Sequence, residues 1–208
     1  MKKLIFMAIT GVLLLSFSLP SAAVASSERD EERGERRASA FTAGGTVWVA
    51  GLPVPTEIKE RGRGVRILTE GEPVVGVVSQ SSWALLQGGA FSTTHKSTVT
   101  YLPNKKFRGE LKGDFSIATP QGTLTGKMKG EVNGTFTWAD ANSNGEVDAP
   151  EAGSIFIQTI SDVGTWEATS GTGTFRRVDA EGSWKANLNW SDALGTLIGP
   201  ISLRGVHE

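Results

Sequence analysis

From Leu124 to Trp138 every even-numbered residue is apolar or glycine, while the odd positions read Thr, Lys, Lys, Glu, Asn, Thr and Thr. Successive side chains of a strand point to opposite faces, so this stretch predicts one long strand with a dry face and a wet face. Phe107, Gly109, Leu111, Gly113, Phe115 and Ile117 repeat the pattern against Arg108, Glu110, Lys112, Asp114 and Ser116. Val178, Ala180, Gly182, Trp184, Ala186, Leu188 and Trp190 repeat it again. Six glycines (109, 113, 126, 130, 134 and 182) fall on the dry face. An open sandwich gains nothing from glycine there, whereas strands that coil around a narrow barrel need it where they bend. The pattern therefore predicts an all-β fold: a closed or nearly closed antiparallel β-barrel of about eight strands, with a β-sandwich as the alternative.

Further strands are expected at Thr46–Ala50, Val65–Thr69, Val74–Ser79, Thr98–Leu102, Ser154–Ile160, Thr165–Ala168 and Leu197–Arg204. Pro103-Asn104 and Pro120-Gln121-Gly122 have the chemistry of hairpin turns. Ser82–Leu86 is the one expected short helix or irregular crossing, and no long-period repeat suggests a propeller or solenoid.

Residues 140–151 match the twelve-residue calcium loop D-x-[DN]-x-[DN]-G-x5-E at every constrained position. A hard cation takes oxygen ligands, and the loop offers the side chains of Asp140, Asn142 and Asn144, the carbonyl of Glu146, Asp148 directly or through water, and Glu151. Gly145 stands where such a loop turns sharply. An EF-hand has a helix on each side, but Thr135–Trp138 and Ser154–Ile160 alternate as strands, and Pro150 and Gly153 oppose a helix leaving at once. The lever by which a calcium sensor opens a groove is absent, so the ion is expected to act as a structural clip.

The chain opens with Lys2-Lys3, an apolar run to Leu19, and Ala23-Val24-Ala25 before Ser26. This is the pattern of a secretory signal peptide, residues 1–25, cleaved after Ala25. The protein is thus expected to be secreted, periplasmic or in the cell envelope, with no later stretch able to span a bilayer. Taking Lys2 and Lys3 from the 21 basic residues leaves 19 against 22 acidic ones, a formal charge of −3. Nucleic acid is not an expected partner at that balance. The chain has no cysteine, so no disulfide framework supports an exported fold, and calcium is the staple on offer. Residues 26–40 read as a charged, flexible leader, and 41–208 as a single β-barrel domain.

Gly164-Thr165-Trp166, Ser170 to Phe175 (Ser-Gly-Thr-Gly-Thr-Phe) and Gly182-Ser183-Trp184 resemble the G-T-W, G-T-G-x-[FY] and G-x-[GW] run of allene oxide cyclase and dirigent-like barrels and related bacterial secreted proteins. The resemblance spans roughly residues 90–190 and implies a curled antiparallel barrel of about eight strands around an apolar interior. Arg176-Arg177-Val178-Asp179 departs from that pattern, the calcium loop is an addition to it, and no catalytic residue is carried over.

Only His95 and His207 supply imidazoles, and no G-x-S-x-G elbow is present. His95 reads as an exposed strand-end or loop residue. Trp138, Trp166, Trp184 and Trp190 are expected to face inward, filling the barrel or lining a pocket for a small apolar ligand. The leading expectation is an exported, non-catalytic barrel with a structural calcium loop, binding a small apolar ligand or a surface partner. The alternatives are a cyclase- or dirigent-like enzyme acting on an apolar substrate in the cavity, and a structural or adhesive envelope protein.

Overall fold

A computed structural model describes residues 38–51 and 54–208. The expected signal peptide and the leader as far as residue 37 lie outside the described residues, while Ser39 and Ala40 already belong to the first strand. Nine strands follow in chain order: β1 (Ser39–Val49), β2 (Val54–Arg61), β3 (Gly64–Ser81), β4 (Ala90–Tyr101), β5 (Lys106–Thr119), β6 (Gly122–Thr137), β7 (Phe156–Gly171), β8 (Ala180–Ser191) and β9 (Thr196–His207). Three short 3₁₀ turns, Ala84–Leu86, Ala149–Ser154 and Gly173–Phe175, interrupt the connections. Among the described residues no helix is long and apolar enough to cross a membrane.

All pairings are antiparallel, and from β3 to β9 each strand pairs with the next in sequence. β1 pairs with β9 along one edge and with β3 along the other, so eight strands form a ring. This all-β ring accommodates both the barrel and the sandwich expected from the alternation. β2 stands outside the ring as a hairpin on the first half of β3, whose second half takes β1. Glu57, Lys59, Glu60 and Arg61 crowd β2 with charge, which discourages edge-to-edge association.

β3 is one strand of 18 residues where the alternation suggested two, because it contains a bulge. Glu70 pairs with Lys96 and Glu72 with His95, leaving Gly71 as the extra residue at φ +76°. One inserted residue reverses the parity of everything after it. Val65, Ile67 and Thr69 are buried before the bulge, and Gly76 and Val78 after it. The reversal turns Glu72 toward the interior.

Aromatic rings fill that interior where glycine makes room. Across paired strands Phe107 stands opposite Gly134, Phe115 opposite Gly126, Trp166 opposite Gly182 and Trp184 opposite Gly164. A Cβ added at Gly126 would lie 2.6 Å from the Phe115 ring, and one at Gly130 would lie 2.8 Å from Trp184. At these positions glycine on the dry face is the complement of a large ring on the neighbouring strand, an arrangement that also stabilises twisted sheets. The void bordered by Phe41, Phe115, Trp166 and Trp184 has shrunk to about 10 Å³.

Candidate metal loop and interior cavity

The expected calcium loop occupies the connection between β6 and β7, with strands on both sides as the alternation indicated. Its polar side chains turn back on their own backbone. Asp140 Oδ1 accepts the N–H of Asn144 at 3.1 Å, and Oδ2 accepts that of Gly145 at 2.9 Å. Asn142 Oδ1 accepts the N–H of Asn144 at 3.0 Å, and Asn144 Oδ1 accepts that of Glu146 at 2.7 Å. Both asparagine amides donate to Asp148 Oδ2, at 2.6 and 3.0 Å. Gly145 takes the left-handed φ of +72° that glycine adopts without cost.

Glu151 joins the two ends of the loop. Its Oε1 accepts the N–H of Ala141 at 2.7 Å, and among the described residues Glu151 is the one charged residue that is buried. It stands in the first turn of the 3₁₀ segment that begins at Ala149-Pro150, where proline is pre-organised for a helical start. Asp140, Asn142, Asn144, Asp148 and Glu151 are therefore linked through one hydrogen-bonded loop, while the Glu146 carboxylate points away to Arg63 at 3.4 Å. That leaves the Glu146 carbonyl as its only group for an ion. Among the described residues no three His, Cys, Asp or Glu side chains are grouped as metal ligands. The loop's donor set instead mixes three carboxylates with two amide oxygens and a carbonyl, the hard-oxygen composition that suits calcium.

The four tryptophans do not share one pocket. Trp166 and Trp184 are buried at the filled end of the ring. Trp138 is half-buried against Phe136, with ring centroids 5.5 Å apart. Trp190 packs edge-on against Phe156 and donates its Nε1–H to Asp192 at 2.8 Å.

A second interior void, of about 50 Å³, is polar on one side, and the sequence reading missed it. His95 lies in mid-strand on the inward face of β4, not at a strand end, with Nε2 3.2 Å from Glu72 Oε2. Both side chains keep only about a tenth of their exposure, 11% and 12%. Asp162 on β7, paired with the buried Val132 and Ala186, enters the same void. As a residue Asp162 is half-buried, but its Oδ1 is cut off from solvent and has no hydrogen-bond partner. Burial, with the nearby Glu72 charge adding to it and His95 opposing it, pushes the Asp162 carboxyl up to about 7. Burial likewise raises the Tyr101 phenol, with Glu72 contributing. Thr69 and Ser97 share a hydrogen bond of 2.7 Å in the same wall.

On the outside, an open groove of about 1110 Å³ crosses β3 to β9. Lys96, Lys112 and Lys129 stand directly opposite one another there on three adjacent strands. Comparison with protein-family models, with curated proteins and with solved structures gives no match.

Proposed function

We propose that this chain is an exported, non-catalytic β-ring protein whose Asp140–Glu151 loop takes up calcium as a structural clip, and which binds its partner on its outer surface. The observation that carries the reading is the loop itself: five candidate ligands in one hydrogen-bonded turn, placed between strands and tied to a neighbouring hairpin. Export rests on the sequence at residues 1–25, and extracellular calcium modules commonly bind at about 0.1–1 mM, a range met outside cells. An outer binding face is favoured over an apolar interior ligand by volume. The void beside Trp184 and the void beside Asp162 measure about 10 and 50 Å³, against roughly 300 Å³ or more for a small-molecule pocket, while the groove outside is open.

Calorimetry and thermal melts with calcium test the clip. Binding at 0.1–1 mM would stabilise the fold by about 1–2 kcal/mol at about 5 mM calcium, and Glu151→Gln should remove most of that gain. No heat of binding at about 5 mM would remove calcium from the account. The cyclase- or dirigent-like reading draws on one observation, the acidic and imidazole groups inside the ring. It requires the void of about 50 Å³ to widen several-fold to admit substrate.

A further inference from the structure

Three side chains from three separate strands, Glu72, His95 and Asp162, meet inside the ring around a void whose lining from β1, β5, β6 and β8 is apolar. Glu72 arrives through the Gly71 bulge of β3, His95 through the inward parity of β4, and Asp162 through that of β7. Tyr101 on β4 is the remaining titratable group in the wall, and β1, β5, β6 and β8 contribute only apolar side chains such as Val49, Leu111, Val132 and Leu188. A buried carboxyl oxygen without a partner costs free energy comparable to a lost hydrogen bond, and native interiors answer that cost with protein groups or with water. No protein group reaches Asp162 Oδ1.

We propose that this cavity is an internal water-binding site, in which ordered water bridges Asp162 Oδ1 to the Glu72–His95 pair and joins the three side chains into one hydrogen-bonded unit. The volume selects the ligand. A water needs roughly 10–15 Å³ of such space and at least two polar partners, so about 50 Å³ suits a few waters and no organic molecule. The chemistry agrees, because the hydroxyls of Thr69, Ser97 and Tyr101 complete a polar wall on the β3–β4 side, facing Asp162 on β7.

The site has a consequence that goes beyond the calcium reading and does not rest on it. Asp162 holds its proton at mildly acidic pH and releases it to solvent near neutrality, which places a second negative charge beside Glu72. The bridging water is then the group that reorients, donating to the new carboxylate instead of accepting from the acid. The ring interior thus binds one proton that the unfolded chain would already have lost.

Two measurements on the unsubstituted protein test the site, so neither depends on a variant that might fail to fold. Carbon-13 NMR of the Asp162 carboxyl should show a titration midpoint near 7, about three pH units above an ordinary aspartate. A midpoint near 4 would mean a carboxyl in bulk-like solvent and would overturn the proposal. A high-resolution crystal structure at pH about 6 should show ordered water within hydrogen-bond distance of Asp162 Oδ1. A dry cavity, or Oδ1 bonded to a protein atom, would overturn it equally.

Discussion

Val147 donates its backbone N–H to the carbonyl of Arg63 at 3.5 Å, fixing the loop between β6 and β7 to the turn between β2 and β3. Its side chain is 1% exposed, and the adjacent Glu146 carboxylate lies 3.4 Å from the Arg63 guanidinium. The candidate calcium loop is therefore seated on the hairpin that stands outside the ring. Val147 is the one fully buried apolar residue of the loop, and its burial decides where the loop rests.

Val147→Ala should cost about 1–2 kcal/mol in chemical denaturation, since it removes buried methyl groups from a site with little room to collapse. It leaves every proposed oxygen ligand in place. Calcium should still bind, with affinity reduced by the work of re-seating the loop. Arg63→Ala, a change at an exposed ion pair, should alter stability by less than about 1 kcal/mol.

Gly130→Val should destabilise the fold by about 3 kcal/mol or more, because its side chain would meet both the Trp184 ring and the β7 backbone. Glu131→Val, one residue on and on the outer face, should stay within about 0.5 kcal/mol. Urea melts of the two variants give the comparison. Equal costs would show that the interior glycines do not mark crowding.

Asp162→Asn should make stability less sensitive to pH. The folded-state carboxyl lies above its unfolded value, so as pH rises from about 4 to about 7 the unfolded chain loses a proton that the native state keeps. The contribution of Asp162 to stability is full below about 4, falls through that window and is flat above it. Relative to the parent, the variant should gain in melting temperature between pH 4 and pH 8. A difference between the two proteins that does not change with pH would contradict the direction of this shift.

Lys112→Glu should raise the melting temperature by about 1–3 °C at low salt and by less at about 1 M salt. Lys112 lies between Lys96 and Lys129 on adjoining strands, and directly opposed like charges are unfavourable while opposite charges help. Thermal melts at two ionic strengths read the effect.

How much of this was legible in the sequence depended on distance along the chain. β5, β6 and β8 announce themselves because their inward positions are apolar or glycine without a break, and the loop from Asp140 to Glu151 is legible because its ligands are neighbours in sequence. The first part of β4 was not, since its inward positions Thr93, His95 and Ser97 are polar and cancel the alternation. β3 looked like two strands because one glycine inverts its parity, and β2 was missed because it is charged on both faces. The interior trio has no local signature at all. Glu72, His95 and Asp162 are brought together by strand order and by the Gly71 bulge, which a linear pattern does not contain.

The pairing of β1 with β9 has a temporal meaning. Thr196 Oγ1 donates to the carbonyl of Val49 at 2.6 Å, 147 residues away along the chain. Such distant contacts are reached only after the intervening loop entropy has been met, so topologies built on them fold slowly. Until Thr196–His207 docks, β1 and β8 each present an unsatisfied edge, and the chain is a curled but open sheet. A protein ending before Thr196 should consequently be recovered in the insoluble fraction, not as a smaller soluble ring.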